Sequence, residues 1–152
     1  MPDGAGSSLW PILHYDDTRA AVRFLVEVLG FHQVVAAADD GGEIVHAELR
    51  RPGGGALVLG STSHVDSVHG DRPAGTGALY VVAVRDEVDA VHRRVREAGG
   101  DVVEPPHETR FGSGASSYVF TARDPEGNLW TFGTYAGAPS PAPPPRRRAR
   151  RG

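Results

Sequence analysis

A chain of 152 residues with 39 % hydrophobic residues holds enough apolar material for one domain, or two small modules sharing a core, and too much for a disordered chain. It has no cysteine, which excludes disulfides, thiolate catalysis and cysteine metal sites. The formal net charge of −3 is uneven: all 16 basic residues are Arg, five of them within Arg146 to Arg151, and without those five 11 Arg stand against 19 acids, a net of −8. The body of the chain is therefore a poor surface for nucleic acid, and no specific nucleic-acid partner is expected.

Residues 1–8, MPDGAGSS, are small and polar and read as a flexible lead-in. They lack the basic and apolar regions of a signal peptide, and no apolar run approaches the roughly 20 residues of a membrane span, so the expected location is the cytoplasm. Leu9 to Tyr15 reads as a short strand. Asp17 is placed to cap a helix whose apolar residues Ala21, Phe24, Leu25, Val28 and Leu29 recur at helical spacing, and Gly30 is placed to end it. Extended stretches follow at Phe31 to Ala37, Glu43 to Arg50 and Ala56 to Gly60, the last two joined at Pro52 to Gly55.

After a linker at about Ser61 to Thr76 the same order returns. Ala78 to Val84 reads as a strand, Asp86 as a cap, and Val88, Val91, Val95 and Ala98 as a helix face ended by Gly99. Asp101 to Glu104, Ser116 to Arg123 and Asn128 to Tyr135 read as extended, the last two joined by the turn DPEGN. In that turn Pro125 presets φ, Gly127 tolerates positive φ and Asp124 can cap the backbone, so its role is structural. Asp17 to Gly30 and Asp86 to Gly99 both span 13 residues, at an offset of 69. The fold class is thus α+β: two tandem βαβββ modules, about 9–61 and 77–135, in a single domain over 9–135. Residues 136–152 are Pro-rich and then Arg-rich, and are expected to be a disordered tail with polyproline II character near Pro143 to Pro145.

A four-stranded sheet with one helix has one covered face and one open face. On Glu43 to Arg50, Val45, Ala47 and Leu49 point one way and His46, Glu48 and Arg50 the other. The apolar set is expected to face the helix. Two such modules face to face would enclose a cleft.

The segments DTRAAVRFLVEVLGF (17–31), GGGALVLGS (53–61), DEVDAVHRRVREAGG (86–100) and YVFTARDPEGNLWTFG (118–133) carry a resemblance to the vicinal oxygen chelate superfamily, which includes glyoxalase I, the bleomycin resistance proteins and the extradiol dioxygenases. With the strands between them they cover about residues 9–135. The resemblance implies a cleft-bearing glyoxalase/bleomycin-resistance-like fold and a homodimer, with clefts formed between paired modules. In metal-using members the ligands come from the first and last strand of each module. Carried over, those positions are Trp10, Val58, Leu79 (or Ala78 in the alternative register) and Thr131, none of them His, Gln, Asp or Glu. A divalent metal needs three or four converging N or O ligands, so the expected metal centre is absent and no cofactor is expected.

The residues expected to line the cleft are Trp10, His14, His46, Glu48, Tyr118, Phe120 and Thr131, with Phe111 and Tyr80 as further aromatic walls. No catalytic residue is assigned. Trp10 can stack on a planar ligand or plug the sheet; Trp130 reads as a helix-facing core residue. Two functional readings remain. In the first the protein binds a small aromatic or cationic compound and sequesters it, as bleomycin-resistance-type members do. In the second it is an enzyme of lyase, isomerase or dioxygenase type, with His14, His46 and Glu48 as acid–base groups or with a divalent metal displaced toward His46 and Glu48. The plainer reading of His46 and Glu48 is a solvated pair.

Overall fold

In the computed structural model of the chain, residues 8–63, 73–110 and 114–138 are described. Phe111 and residues 139–152 of the Pro/Arg-rich segment lie outside them. The first module runs β1 (Ile12–Tyr15), α1 (Thr18–Glu27), β2 (His32–Ala38), β3 (Ile44–Arg50) and β4 (Ala56–Ser61). The second runs β5 (Ala78–Val82), α2 (Arg85–Glu97), β6 (Asp101–Arg110), β7 (Ser116–Arg123) and β8 (Leu129–Gly133). Each forms its own four-stranded sheet, ordered β1-β4-β3-β2 and β5-β8-β7-β6, with the first and last strands of each module parallel and the other pairs antiparallel. None of the helices is long and apolar enough to cross a membrane among the described residues.

Local chemistry accounts for the helix ends. The Asp17 carboxylate accepts the Ala20 N–H at 3.1 Å, one of the donors a helix start leaves unpaired. Asp86 does not do the same: α2 starts two residues earlier, Val84 is its cap without a side-chain bond, and Asp86 and Glu87 stand in the first turn, where negative charge favours the helix dipole. Beyond α2, β6 is also longer than expected, continuing through Pro105 and Pro106 to Arg110. It is an edge strand, where the missing N–H of proline costs no ladder bond on the free side.

Val88, Val91 and Val95 of α2, and Ala21, Val22 and Leu25 of α1, cover one face of each sheet, and a single core runs through both modules. The modules join through these helix-covered sides. Phe31 meets Trp130 edge to face at 5.6 Å between centroids, and Arg94 Nε donates to the Val28 carbonyl at 2.9 Å.

The DPEGN turn is the principal link between modules. Asp124 is buried, and its Oδ1 accepts the backbone N–H groups of Glu126, Gly127 and Asn128 at 3.0–3.1 Å. Its Oδ2 accepts Asn128 Nδ2 at 2.9 Å, the Trp130 indole N–H at 3.1 Å and the hydroxyl of Tyr15, from the end of β1, at 2.5 Å. Next to it the Glu126 carboxylate accepts the Asp16 and Asp17 N–H groups, and Asn128 Oδ1 accepts the Gly77 N–H at 2.8 Å. Gly75 is required here: its φ is +79°, and a Cβ would sit 2.0 Å from the Glu126 carbonyl oxygen.

Two outcomes follow from this junction. Asp124→Ala leaves the Tyr15 and Trp130 donors buried without an acceptor, and is expected to lower unfolding free energy by roughly 3–5 kcal/mol in urea titrations. Burial, and then the Asp124 carboxylate, push the Tyr15 phenol well above its ordinary range. Since the folded value lies above the unfolded one of about 10, the contribution is intact below pH 10 and is lost as the pH rises beyond it. Stability should fall above pH 10 by about 1.4 kcal/mol per pH unit, and Tyr15→Phe should remove most of that slope.

Candidate binding groove

Among the described residues β5 pairs with one strand, β8. Between β5 and the lead-in Leu9 to Pro11, the turn Arg51 to Gly55 and the start of β4 lies a groove of about 1190 Å³. Its walls are largely apolar and include Trp10, Phe31, Leu57, Tyr80, Val82 and Trp130. Val82 and Val84 are more than half exposed, at 51 % and 71 %. Gly53, Gly54 and Gly55 all have positive φ (90°, 122° and 103°), and an added Cβ at Gly53 or Gly54 would meet nothing. This run of glycine turns the chain sharply and leaves the mouth free of side chains.

Three charged side chains line the groove, Arg51, Arg85 and Glu87, and each is paired: Arg51 with Glu87, and Arg85 with Glu108. The Arg51 side chain is 8 % exposed; its Nη2 donates to Glu87 Oε1 at 2.6 Å and to the Val82 carbonyl at 3.1 Å. Its guanidinium also lies 5.6 Å from the Phe132 ring centroid. A buried cation with a carboxylate, a carbonyl and an aromatic face ties the β3–β4 turn to β5 and α2, and presents no net charge to the groove.

The open face of the first sheet gathers most of the other expected residues. The register sets His14, Gly60 and His46 in one row and Ile12, Val58 and Glu48 in the next. His46 Nε2 lies 3.2 Å from Glu48 Oε2, and the His14 ring lies over Gly60, where an added Cβ would be 3.3 Å away. In the third row Arg50 sits beside Ala56 and places its guanidinium 5.1 Å from the Trp10 ring. Trp10 is thus the residue shared between this face and the groove.

Thr131 is not brought to this group. It lies on the open face of the second sheet, beside Tyr80 in register, with its hydroxyl 2.7 Å from that of Thr121. Tyr118 and Phe120 are not cleft walls. They face α2: the Tyr118 hydroxyl donates to Asp89, its ring lies under the Arg85 guanidinium at 3.8 Å, and Phe120 is fully buried between His92 and Phe132. The Asp89 bond pushes the Tyr118 phenol up, and burial pushes the His92 imidazole down. Leu79 also packs against the core, so the open-face neighbours on β5 are Ala78 and Tyr80.

The side chains at the family's metal positions do not fit a metal. Val58 and Leu79 offer carbon, Trp10 an indole donor, and the Thr131 hydroxyl is paired with Thr121. Among the described residues no three His, Asp or Glu side chains are gathered as a metal set. The groove residues Arg51, Leu57, Val82, Val84 and Glu87 were not anticipated. A signal was present: Ala78 to Val84 is apolar at both parities apart from the Tyr80 hydroxyl, which is unusual for a strand with a wet face.

Residues 10–132 match the family described as the Glyoxalase/Bleomycin resistance protein/Dioxygenase superfamily. Among solved structures, TioX from Micromonospora sp. ML1 is similar with a TM-score of 0.68 and 30 % identity, over 84 % of this chain and 98 % of that one. Virulence protein STM3117 from Salmonella typhimurium is similar in fold, with a TM-score of 0.65 and 23 % identity over 86 % and 98 % of the two chains. Lactoylglutathione lyase from Agrobacterium tumefaciens has a TM-score of 0.59 and 25 % identity over 84 % and 92 %. No curated protein matches. With its doubled βαβββ architecture and a match over most of its length, this chain belongs to the Glyoxalase/Bleomycin resistance protein/Dioxygenase superfamily.

Proposed function

We propose that this protein binds and sequesters a small, flat, largely apolar compound with aromatic character, without the metal centre of the family's enzymes. The observation that carries the reading is the groove along β5: about 1190 Å³, lined by Trp10, Phe31, Tyr80 and Val82, with its one buried cation already paired to Glu87. Such a wall rewards apolar area and ring stacking. Each aromatic contact adds roughly 0.5–1.5 kcal/mol beyond burial, so two or three of them with burial reach micromolar affinity, about −8 kcal/mol. A cationic ring fits as well as a neutral one, since the body of the chain is acidic. Homodimerisation belongs to the same proposal: Ile12, Val34 and Val35 are exposed on the first sheet, at 45 %, 54 % and 39 %, and a second copy would cover them.

A second reading is favoured by one observation, the contact of His46 with Glu48 beside His14 on the open face. There the carboxylate would orient the imidazole and the pair would act as a general base on a substrate lying over Gly60.

The two readings separate by experiment. With 8-anilinonaphthalene-1-sulfonate as probe, Tyr80→Ala and Val82→Ser should each weaken binding roughly two- to ten-fold, while His46→Ala should leave it unchanged. An unchanged affinity in both groove variants would refute the assignment. Titration with Zn²⁺ or Ni²⁺ should show no stoichiometric uptake at about micromolar metal. One ion per chain, lost in His46→Ala, would overturn the metal-free reading and move the site to the open face.

A further inference from the structure

We propose that Arg51 determines which compounds the groove accepts, by donating to a neutral acceptor, a ring carbonyl, on the bound molecule; this names the ligand class for the groove and rests on the reading above. The argument starts from the donors of its side chain. A guanidinium donates from Nε, Nη1 and Nη2. In Arg51 both bonds leave from Nη2, one to the Val82 carbonyl and one to Glu87 Oε1. Nε and Nη1 donate to none of the described residues. Neither nitrogen is sealed off: among the described residues the buried side-chain polar atom left without a partner is the Thr18 hydroxyl. The unspent Arg51 donors are therefore within reach of a small molecule, although the side chain as a whole is only 8 % exposed. The space beside them is the groove, which Arg51 lines together with both of its partners, Val82 and Glu87.

These donors are held in place. Nη2 is anchored at two points, and the guanidinium lies 5.6 Å from the Phe132 ring centroid. The backbone beside it is closed by Arg51 N–H to the Gly55 carbonyl at 3.0 Å and Gly54 N–H to the Arg51 carbonyl at 3.1 Å. Gly53 to Gly55 bring no side chain over this turn. A planar cation fixed in this way loses little freedom when it donates once more.

Charge selects the kind of acceptor. Glu87 already neutralises Arg51, so an anion would meet a carboxylate beside the guanidinium and gain little. A ring without an acceptor would cover the unspent donors and leave them without water or partner, which is costly. A carbonyl takes a proton from them and adds no charge. A site built to donate rejects the analogue that cannot accept far better than an apolar wall rejects a change of size. Arg85, the other cation in the wall, does not discriminate in this way: its side chain is 59 % exposed and water satisfies it.

The test compares 9-fluorenone with fluorene, the same flat tricycle carrying a carbonyl or a methylene, by displacement of 8-anilinonaphthalene-1-sulfonate from the full chain. Fluorenone should bind roughly three- to thirty-fold more tightly. The double variant Arg51→Met, Glu87→Gln removes the donors without leaving a lone charge; it should abolish the preference and keep the affinity for fluorene. Glu87→Gln alone keeps the guanidinium and should keep the preference. A readout on the unsubstituted protein needs no variant to fold: the carbonyl stretch of bound fluorenone should lie at lower wavenumber than in cyclohexane. Equal affinities of the two compounds, a preference that survives the double variant, or a stretch unshifted from cyclohexane would each overturn the assignment. If both compounds then still displace the dye and lose affinity in Tyr80→Ala, the groove reading stands and only the role of Arg51 falls. If neither displaces the dye, both fall.

Discussion

Six hydrogen bonds converge on the buried Asp124 carboxylate, and the arrangement of the two modules depends on them. A carboxylate out of water is tolerable only when its lone pairs are filled, and here they are filled from both modules. Three donors are backbone N–H groups of the turn itself, two are side chains of the β8 segment, and the sixth is Tyr15 at the end of β1. The turn can therefore close in this form only when β1 is in place. Glu126 and Asn128 extend the same device to the start of α1 and to Gly77, so a five-residue turn fixes the angle at which the first module meets the second.

That angle has a functional consequence. The helix-covered sides of the two sheets pack together through Phe31, Trp130 and Arg94. Among the described residues β5 has β8 as its strand partner, and its other edge lies opposite the β3–β4 turn. The groove is the space between them. Arg51 spans it, and its pairing with Glu87 holds the two sides at a fixed separation while removing its charge from the surface a ligand would meet. The binding surface is thus a product of module packing, whereas the polar face bearing His14, His46 and Glu48 belongs to one sheet alone.

The same division explains what the sequence reveals. The doubled module is legible because each helix is written out locally, with an apolar stripe and a glycine end at equal spacing. The facing of β3 is legible because His46, Glu48 and Arg50 alternate strictly with apolar residues. In β7 this signal is lost: Ser117, Val119, Phe120, Thr121 and Ala122 are all buried, so both parities look alike and the orientation of Tyr118 and Phe120 cannot be read from alternation. Leu79 shows how one step of register moves a side chain from the open face to the core. The groove shows in the sequence only as the apolar run of β5, because Arg51, Val82 and Glu87 are brought together by tertiary packing and share no local motif.

The most direct test of the account is to map where an aromatic ligand binds. A heteronuclear NMR titration of the full chain with 8-anilinonaphthalene-1-sulfonate should shift the amides of Leu79 to Val84 and of Arg51 to Leu57 together, in a single saturable process. Shifts confined instead to His14, His46, Glu48 and Gly60 would contradict it, and would place recognition on the open face of the first sheet.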